Sequence, residues 1–229
     1  MTPDIYNDKR FGINHNSISI NALNIISRLQ KSGFQAYIVG GGIRDMIKGL
    51  KPKDFDIVTN CEPEEIRKIF KNSRIIGRRF KLVHIAFVDE IIEATTFRAG
   101  GTKTTESIEI NEKGRIVRDN NWGTQEEDVL RRDLTINSIY YDPFSNELID
   151  YTKGIKDLKD KKIKFIGNSG ERILEDPVRI LRALRFAAKL NFTIDQEIAE
   201  AIKEHRAQLL EMPPARLYEE VIKLSLIHI

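Results

Sequence analysis

The chain has 229 residues, 41% of them hydrophobic and 31% charged, a formal net charge of +3 and a single cysteine, Cys61. Such a chain can bury a core in one large domain or two small ones. A disulfide framework is excluded, no apolar run approaches the roughly 18 residues of a membrane span, and nucleic-acid binding would have to come from local basic patches rather than bulk charge. The lone cysteine makes a cytoplasmic setting the expectation.

Residues 1–16 are polar and broken by Pro3 and Gly12. They lack the apolar centre of a signal peptide and are expected as a flexible tail. From Ser17 to Ser32, Ile18, Leu23, Ile25, Ile26 and Leu29 fall on one helical stripe that Gly33 closes. "QAYIVG" predicts a strand, "GIRDMIKG" a short helix, and "DFDIVT" a second strand. "EPEEIRKIFKN" predicts a helix with Pro63 in its first turn. "FKLVHIAFV" and "EIIEATTF" predict a hairpin. Arg98 to Gly123, rich in Gly, Thr, Asn and charge, is expected as a long loop with a strand at "RIVRD". After "GTQEEDVLRRDLTINSIYYD" the strand signal fades. A lysine-rich connector follows, and from "SGERILEDPVRILRALRFAAKL" onward the pattern is helical. A mixed α/β half (17–150) therefore precedes an all-helical half (151–229), with the boundary near Tyr151 to Asn168.

Asp54 and Asp56 stand one residue apart in "DFDIVT". On a strand, positions i and i+2 share a face, with Cα atoms about 6.5–7 Å apart. Two carboxylates so placed can converge on shared cations. Mg²⁺ suits them, because it takes a few hard oxygens plus substrate phosphates, and two ions can flank an in-line phosphoryl displacement. The plain alternative is a solvent-facing polar stripe on an edge strand. Phe55, Ile57 and Val58 beside the acids point instead to a buried strand, where unpaired acids would be costly.

Gly40, Gly41 and Gly42 lie between strand and helix. Backbone N–H groups freed of side chains can approach a phosphate, the helix start favours anions, and Arg44 would add a donor. A tight turn is the plain alternative. The run is no dinucleotide fingerprint, since Asp45 stands where a third glycine is needed, and no P-loop, since no Gly-Lys-Ser/Thr follows.

Taken together, the glycines, Ile43-Arg44-Asp45, the short helix and Asp54-Phe55-Asp56-Ile57 resemble the nucleotidyltransferase superfamily that includes DNA polymerase β. Within it the pattern is similar to the class II group of tRNA nucleotidyltransferases (CCA-adding enzymes) and bacterial poly(A) polymerases. "RRDLTINSI" (131–139) is similar to that family's ribose- and phosphate-contacting block, and "EDPVRILRALRFAAKL" (175–190) to its nucleobase-reading helix. The resemblance runs from about Ala36 onward. It implies an α+β fold, a nucleotidyltransferase head with a mixed sheet followed by a helical neck, with ATP in the cleft between them. It also implies two Mg²⁺ ions on Asp54 and Asp56, and AMP transfer from ATP to an RNA 3′ end. Gly41, Gly42, Arg44 and Arg132 become nucleotide contacts. Asp176 and Arg179 read the base, and Arg182 and Arg185 meet the triphosphate. An acceptor beside a planar donor fork can imitate a Watson–Crick edge, and Val178 and Phe186 on the arginine side argue against a plain solvated face. For the third carboxylate the candidates are Asp133 and Glu93; the family pattern favours Asp133.

"IIGRRFKLVH" (75–84) and "MPPARLYEEVIKL" (212–224) resemble the poly(A) polymerase branch. Arg78, Arg79 and Lys81 would then meet the RNA backbone, or else form a plain exposed turn, and His84 reads as a core residue. The alternatives are CCA addition using CTP and ATP, or a non-catalytic nucleotide- or RNA-binding module. Leu224 to Ile229 break the preceding charge pattern and match one frame of a sequencing-library transposon adapter. They are expected to be a cloning or assembly scar on a longer natural chain.

Overall fold

The structure, a computed structural model, describes residues 1–77, 81–99, 108–110, 116–119 and 121–225. It divides into two compact units. The first is Met1–Arg131 with Asn137–Tyr151; the second is Arg132–Ile136 with Thr152–Ile229.

The first unit runs β1 (Asp4–Asn7), α1 (Ile20–Lys31), β2 (Ala36–Val39), α2 (Gly41–Ile47), β3 (Asp56–Thr59), α3 (Pro63–Ile69), β4 (Ser73–Ile76), β5 (Leu82–Ala86), β6 (Ile91–Thr96), β7 (Ile108–Ile110), β8 (Ile116–Asp119), α4 (Gln125–Arg131), β9 (Tyr140–Asp142) and β10 (Glu147–Asp150). Eight of these strands form one mixed sheet in the order β1-β10-β9-β2-β3-β6-β5-β4. Its one parallel pair is β3–β6. In α1 the Ser19 hydroxyl caps Asn21 and Ala22, and Ala22, Ile25, Ile26 and Leu29 form the buried stripe. Val39, Val58, Phe97, Val129 and Tyr140 make a core cluster under the centre of the sheet.

Residues 1–16 are not a loose tail. β1 pairs with β10 along its whole length. Asp8, just beyond it, is 2% exposed; it accepts the Tyr141 hydroxyl at 2.7 Å and lies 2.6 Å from His15 Nε2. A four-residue edge strand reading Asp-Ile-Tyr-Asn has too little apolar alternation to announce itself, and its partner lies more than 140 residues away. β4, β9 and β10 also escape the sequence reading. A turn signal was available for the β9–β10 hairpin: Asp142 Oδ1 accepts the amides of Phe144 and Ser145, and Asn146 takes a left-handed φ of 61°. The strand expected at "RIVRD" is β8, paired with β7. The rest of the expected loop, apart from residues 98, 99 and 121–123, lies outside the described residues.

The second unit holds α5 (Gly154–Lys159), β11 (Lys162–Ile163), α6 (Ser169–Glu175), α7 (Val178–Leu190), β12 (Thr193–Ile194), α8 (Gln196–His205) and α9 (Pro214–Ser225). It is helical as expected, apart from the short parallel pair β11–β12. The sequence assigned all of 131–139 to the first half, but 132–136 belong to this unit. Leu134 bridges Phe165, the Thr135 amide donates to the Lys164 carbonyl at 3.1 Å, and the Thr135 hydroxyl donates to Asp157 Oδ2 at 2.8 Å. Among the described residues no helix is long and apolar enough to cross a membrane.

The first turn of the chain is therefore expected to be structural. Asp8→Ala leaves the Tyr141 hydroxyl without its carboxylate partner, a loss of about 1–3 kcal/mol. A thermal melt should show a transition several degrees lower; an unshifted melt would mean the segment contributes nothing to the fold.

Candidate active site

β2 and β3 are antiparallel, and Val39 faces Asp56. At the end of this ladder the chain turns at Gly40, whose φ of +84° suits only glycine. A Cβ on Gly40 would sit 3.2 Å from Asp56 Oδ2, and one on Gly42 would sit 2.9 Å from the Asp54 carbonyl oxygen. Gly42 is thus required by the Asp54 backbone, which a Cβ would strike, while Gly40 is required by its φ, and a Cβ there would press the Asp56 carboxylate aside by a few tenths of an ångström.

Asp54 precedes β3 rather than lying within it. The alternation nonetheless holds across the strand's start: Asp54 and Asp56 are exposed, while Phe55 and Ile57 are buried. The expectation that the acids themselves are buried is corrected. Phe55 and Ile57 anchor one side of the segment and leave both carboxylates on the open side. Glu93 is the register partner of Asp56 on the parallel neighbour β6, so the two share a sheet face. His84 is in turn opposite Glu93, with Nε2 3.8 Å from Oε2 and both side chains partly exposed. It is a surface neighbour of the acids, not the core residue expected. Among the described residues no three His, Cys, Asp or Glu side chains are gathered closely enough to hold an ion alone. A Mg²⁺ site completed by phosphate oxygens does not require such a cage.

Arg44, expected as a nucleotide contact, is 2% exposed, and its guanidinium is bound to Asp45 Oδ1 at 2.8–2.9 Å and Asn137 Oδ1 at 2.7 Å. Those bonds pin α2 to the segment before β9. Lys81 pairs with Glu64 at 2.8 Å. Arg78 and Arg79 lie outside the described residues.

The remaining expected site residues belong to the second unit. Asp176 is not in the first turn of a helix. It is the extended residue between α6 and α7, with φ −151° and ψ 94°, because Pro177 disfavours helical backbone before it. Its carbonyl accepts the Arg179 amide at 3.0 Å. Arg179 Nη1 donates to the Arg172 carbonyl and to Glu175 Oε2, both at 2.7 Å. Arg185 stacks over Phe186, 4.4 Å from the ring centroid. Val178 and Phe186 are buried as the mixed face implied, whereas Leu184 is 41% exposed. The Arg132 carbonyl accepts from Arg172 Nη2 at 2.7 Å.

Asp133, expected as the third acid, is instead an arginine's ion-pair partner. Its Oδ2 lies 2.6 Å from both Nε and Nη2 of Arg182, and its Oδ1 accepts the Leu134 amide at 2.8 Å. Burial alone would raise the carboxyl, but the Arg182 guanidinium and the Leu134 amide outweigh it and hold the pKa below the usual carboxylate range. The same pairing, against desolvation, raises Arg182.

Residues 36–164 match the family described as "Poly A polymerase head domain". Residues 191–225 match "Probable RNA and SrmB- binding site of polymerase A". Poly(A) polymerase I of Escherichia coli O6:H1 is 49% identical over 219 residues, covering 94% of this chain and 47% of its own length. A CCA-adding enzyme of Streptococcus uberis is 37% identical over 207 residues, covering 89% of this chain and 48% of its own. The crystal structure of the Bacillus stearothermophilus CCA-adding enzyme in complex with CTP is similar with a TM-score of 0.76 at 30% identity, over 89% of this chain and 47% of that one. The chain spans about half the length of the curated relatives it matches.

A carboxylate with a lowered folded pKa stabilises above its unfolded value of about 3.9 and loses that contribution as pH falls through the folded value. Asp133→Asn should therefore cost about 1–3 kcal/mol at pH 7, allowing for the partial exposure of Arg182. The gap from the parent should close below about pH 4. Urea titrations at several pH values measure this, and a gap that does not change with pH would overturn the ion-pair assignment.

Proposed function

Because the chain belongs to the poly A polymerase head-domain family, we propose that it transfers AMP from ATP to RNA 3′ ends and releases pyrophosphate. The observation that carries this choice is the identity of 49% to a poly(A) polymerase I against 37% to a CCA-adding enzyme over nearly the same residues. The 75–84 and 212–224 segments, which resemble the poly(A) branch, support it. CCA addition is the second reading, favoured by the fold likeness to a CCA-adding enzyme at 30% identity.

In the reaction the RNA 3′-oxygen attacks the α-phosphorus of ATP. A new phosphodiester forms, the bond from the α-phosphorus to the bridging oxygen breaks with pyrophosphate leaving, and the hydroxyl proton passes to solvent water. Asp54 and Asp56 are the acids for this step. Glu93, in register beside Asp56, is a better third acid than Asp133, whose carboxylate is occupied by Arg182. All three are hard oxygen donors on one open face, a set that fits Mg²⁺. Mg²⁺ bound there supplies charge neutralisation and lowers the pKa of the attacking hydroxyl. Gly40 and Gly42 keep the two aspartates in place, since any side chain would push against Asp56 or the Asp54 peptide.

In the second unit, Asp176 accepts the N6 amino group of adenine and Arg179 donates to N1, while Arg182 and Arg185 face the triphosphate. CTP offers a similar pair of groups, so pocket size must disfavour it. GTP and UTP present a carbonyl and an N–H, opposite to what these side chains need, and each mismatch costs about 1–3 kcal/mol. A cytoplasmic setting, where ATP and RNA meet, accompanies this reading.

Three measurements test it. Asp56→Ala removes several kcal/mol of transition-state stabilisation, so primer extension should fall by more than about a thousandfold while ATP binding weakens far less. Persistent extension at saturating Mg²⁺ would refute the role of the acids. Arg179→Ala should lower kcat/KM for ATP and narrow the ATP/GTP ratio by about tenfold or more, while Lys189→Ala on the exposed side of α7 changes neither. An unchanged ratio in Arg179→Ala would place base reading elsewhere. CTP incorporation into a tRNA lacking its CCA end, in preference to ATP addition on a general RNA primer, would favour the second reading.

A further inference from the structure

The residues proposed to meet the nucleotide are held from behind by charges on α9. Arg216 Nη2 donates to Asp176 Oδ2 at 2.7 Å. One turn further along the same helix, Glu220 accepts from Arg185 Nε at 2.7 Å and lies 3.6 Å from Arg182 Nη1. Glu220 is 5% exposed, and the Arg185 guanidinium, with Arg182, holds its carboxyl below the usual range against the effect of burial. Positions four apart lie on one helix face, so α9 presents a cation to the one acid and an anion to the two arginines. The opposite side of the helix leaves Tyr218 and Val221 exposed.

From this we infer that Arg216 is a specificity-determining positioning residue, which acts on the base through Asp176. The inference rests on the base-reading role proposed for Asp176. An Asp side chain turns easily about its last torsion. Such a turn would let Asp176 swing away from the carbonyl that GTP and UTP present where ATP has an amino group. Arg216 blocks it. Its guanidinium occupies Oδ2, and the Val178 amide approaches Oδ1 at 3.3 Å, so the carboxylate is fixed in orientation. A carboxylate has about four lone-pair sites, which leaves capacity for the adenine amino group. Glu220 does the parallel work for Arg182 and Arg185. Its loss is felt on the triphosphate, which every nucleotide carries, and so does not alter base choice.

The test measures kcat/KM for ATP and GTP on one RNA primer with the whole chain and five variants. Arg216→Ala should lower the ATP/GTP ratio by about tenfold, Arg216→Lys should restore part of it, and Glu220→Gln should raise KM for both nucleotides with the ratio unchanged. Asp176→Asn should lower the ratio too, and adding Arg216→Ala to it should lower it no further. Should Arg216→Ala fail to fold, Arg216→Gln, which keeps the first three carbons and a polar end but loses the charge, is read in the same way. A ratio that falls in Asp176→Asn but not in the Arg216 variants overturns the inference and leaves base reading by Asp176 intact. A rise in ATP kcat/KM in Arg216→Ala also overturns it, because Arg216 would then compete with the base. A ratio unmoved by Asp176→Asn overturns the base-reading role and this inference with it.

Discussion

The contact on which the placing of the two acids depends is the approach of the Gly40–Gly42 turn to the Asp54–Asp56 segment. β2 and β3 are hydrogen-bonded up to Val39 and Asp56, and beyond that pair the two chains can stay close only if one of them carries no side chain. Gly40 also needs its positive φ for the chain to leave β2 and enter α2 directly. Because the turn is so close, Asp56 and the Asp54 peptide are set by backbone rather than by loop flexibility. Phe55 and Ile57 then lock the same segment from its buried side. Two exposed acids are thereby positioned by residues that need take no part in chemistry.

The second unit uses charge where the first uses space. Asp133 and Glu220 bracket Arg182, Glu220 also holds Arg185, Glu175 holds Arg179, and Arg216 holds Asp176. Long cationic side chains lose up to about 2 kcal/mol of rotamer entropy each when they are ordered. Carboxylates already in place take up that cost during folding. Asp133 is shielded enough that losing Arg182 strands its charge, whereas Arg182 would keep Glu220. The pair is accordingly a stability element as well as a positioning one.

Several polar side chains have partners that the fold sets in addition to their neighbours in the chain. Arg44 sits on a short helix directly after three glycines, and it is bonded both to the adjacent Asp45 and to Asn137, 93 positions away. Asp133 follows an arginine in sequence, yet its partner is Arg182, 49 positions on. His84 stands in an apolar run and still faces outward, because β5 alternates and its other face is the buried one. Arg216 meets Asp176 and Glu220 meets Arg182 and Arg185 only through the packing of α9, although Glu220 also has a local partner in Lys223.

What the sequence determined by itself is the part governed by local periodicity and turn chemistry. The α1 stripe with its glycine stop, the β2–α2–β3 succession, the β5–β6 hairpin, the helical second half, and the placing of two acids on one side of a strand all follow from spacings within a few residues. Those spacings, with the motif blocks, also sufficed to indicate the family. The tertiary structure alone decided the edge pairing of β1 with β10, the membership of 132–136 in the second unit, the neighbouring of Glu93 and Asp56, and which charge meets which. Strand register across a parallel pair and ion pairing between helices depend on distances through space that no spacing along the chain encodes.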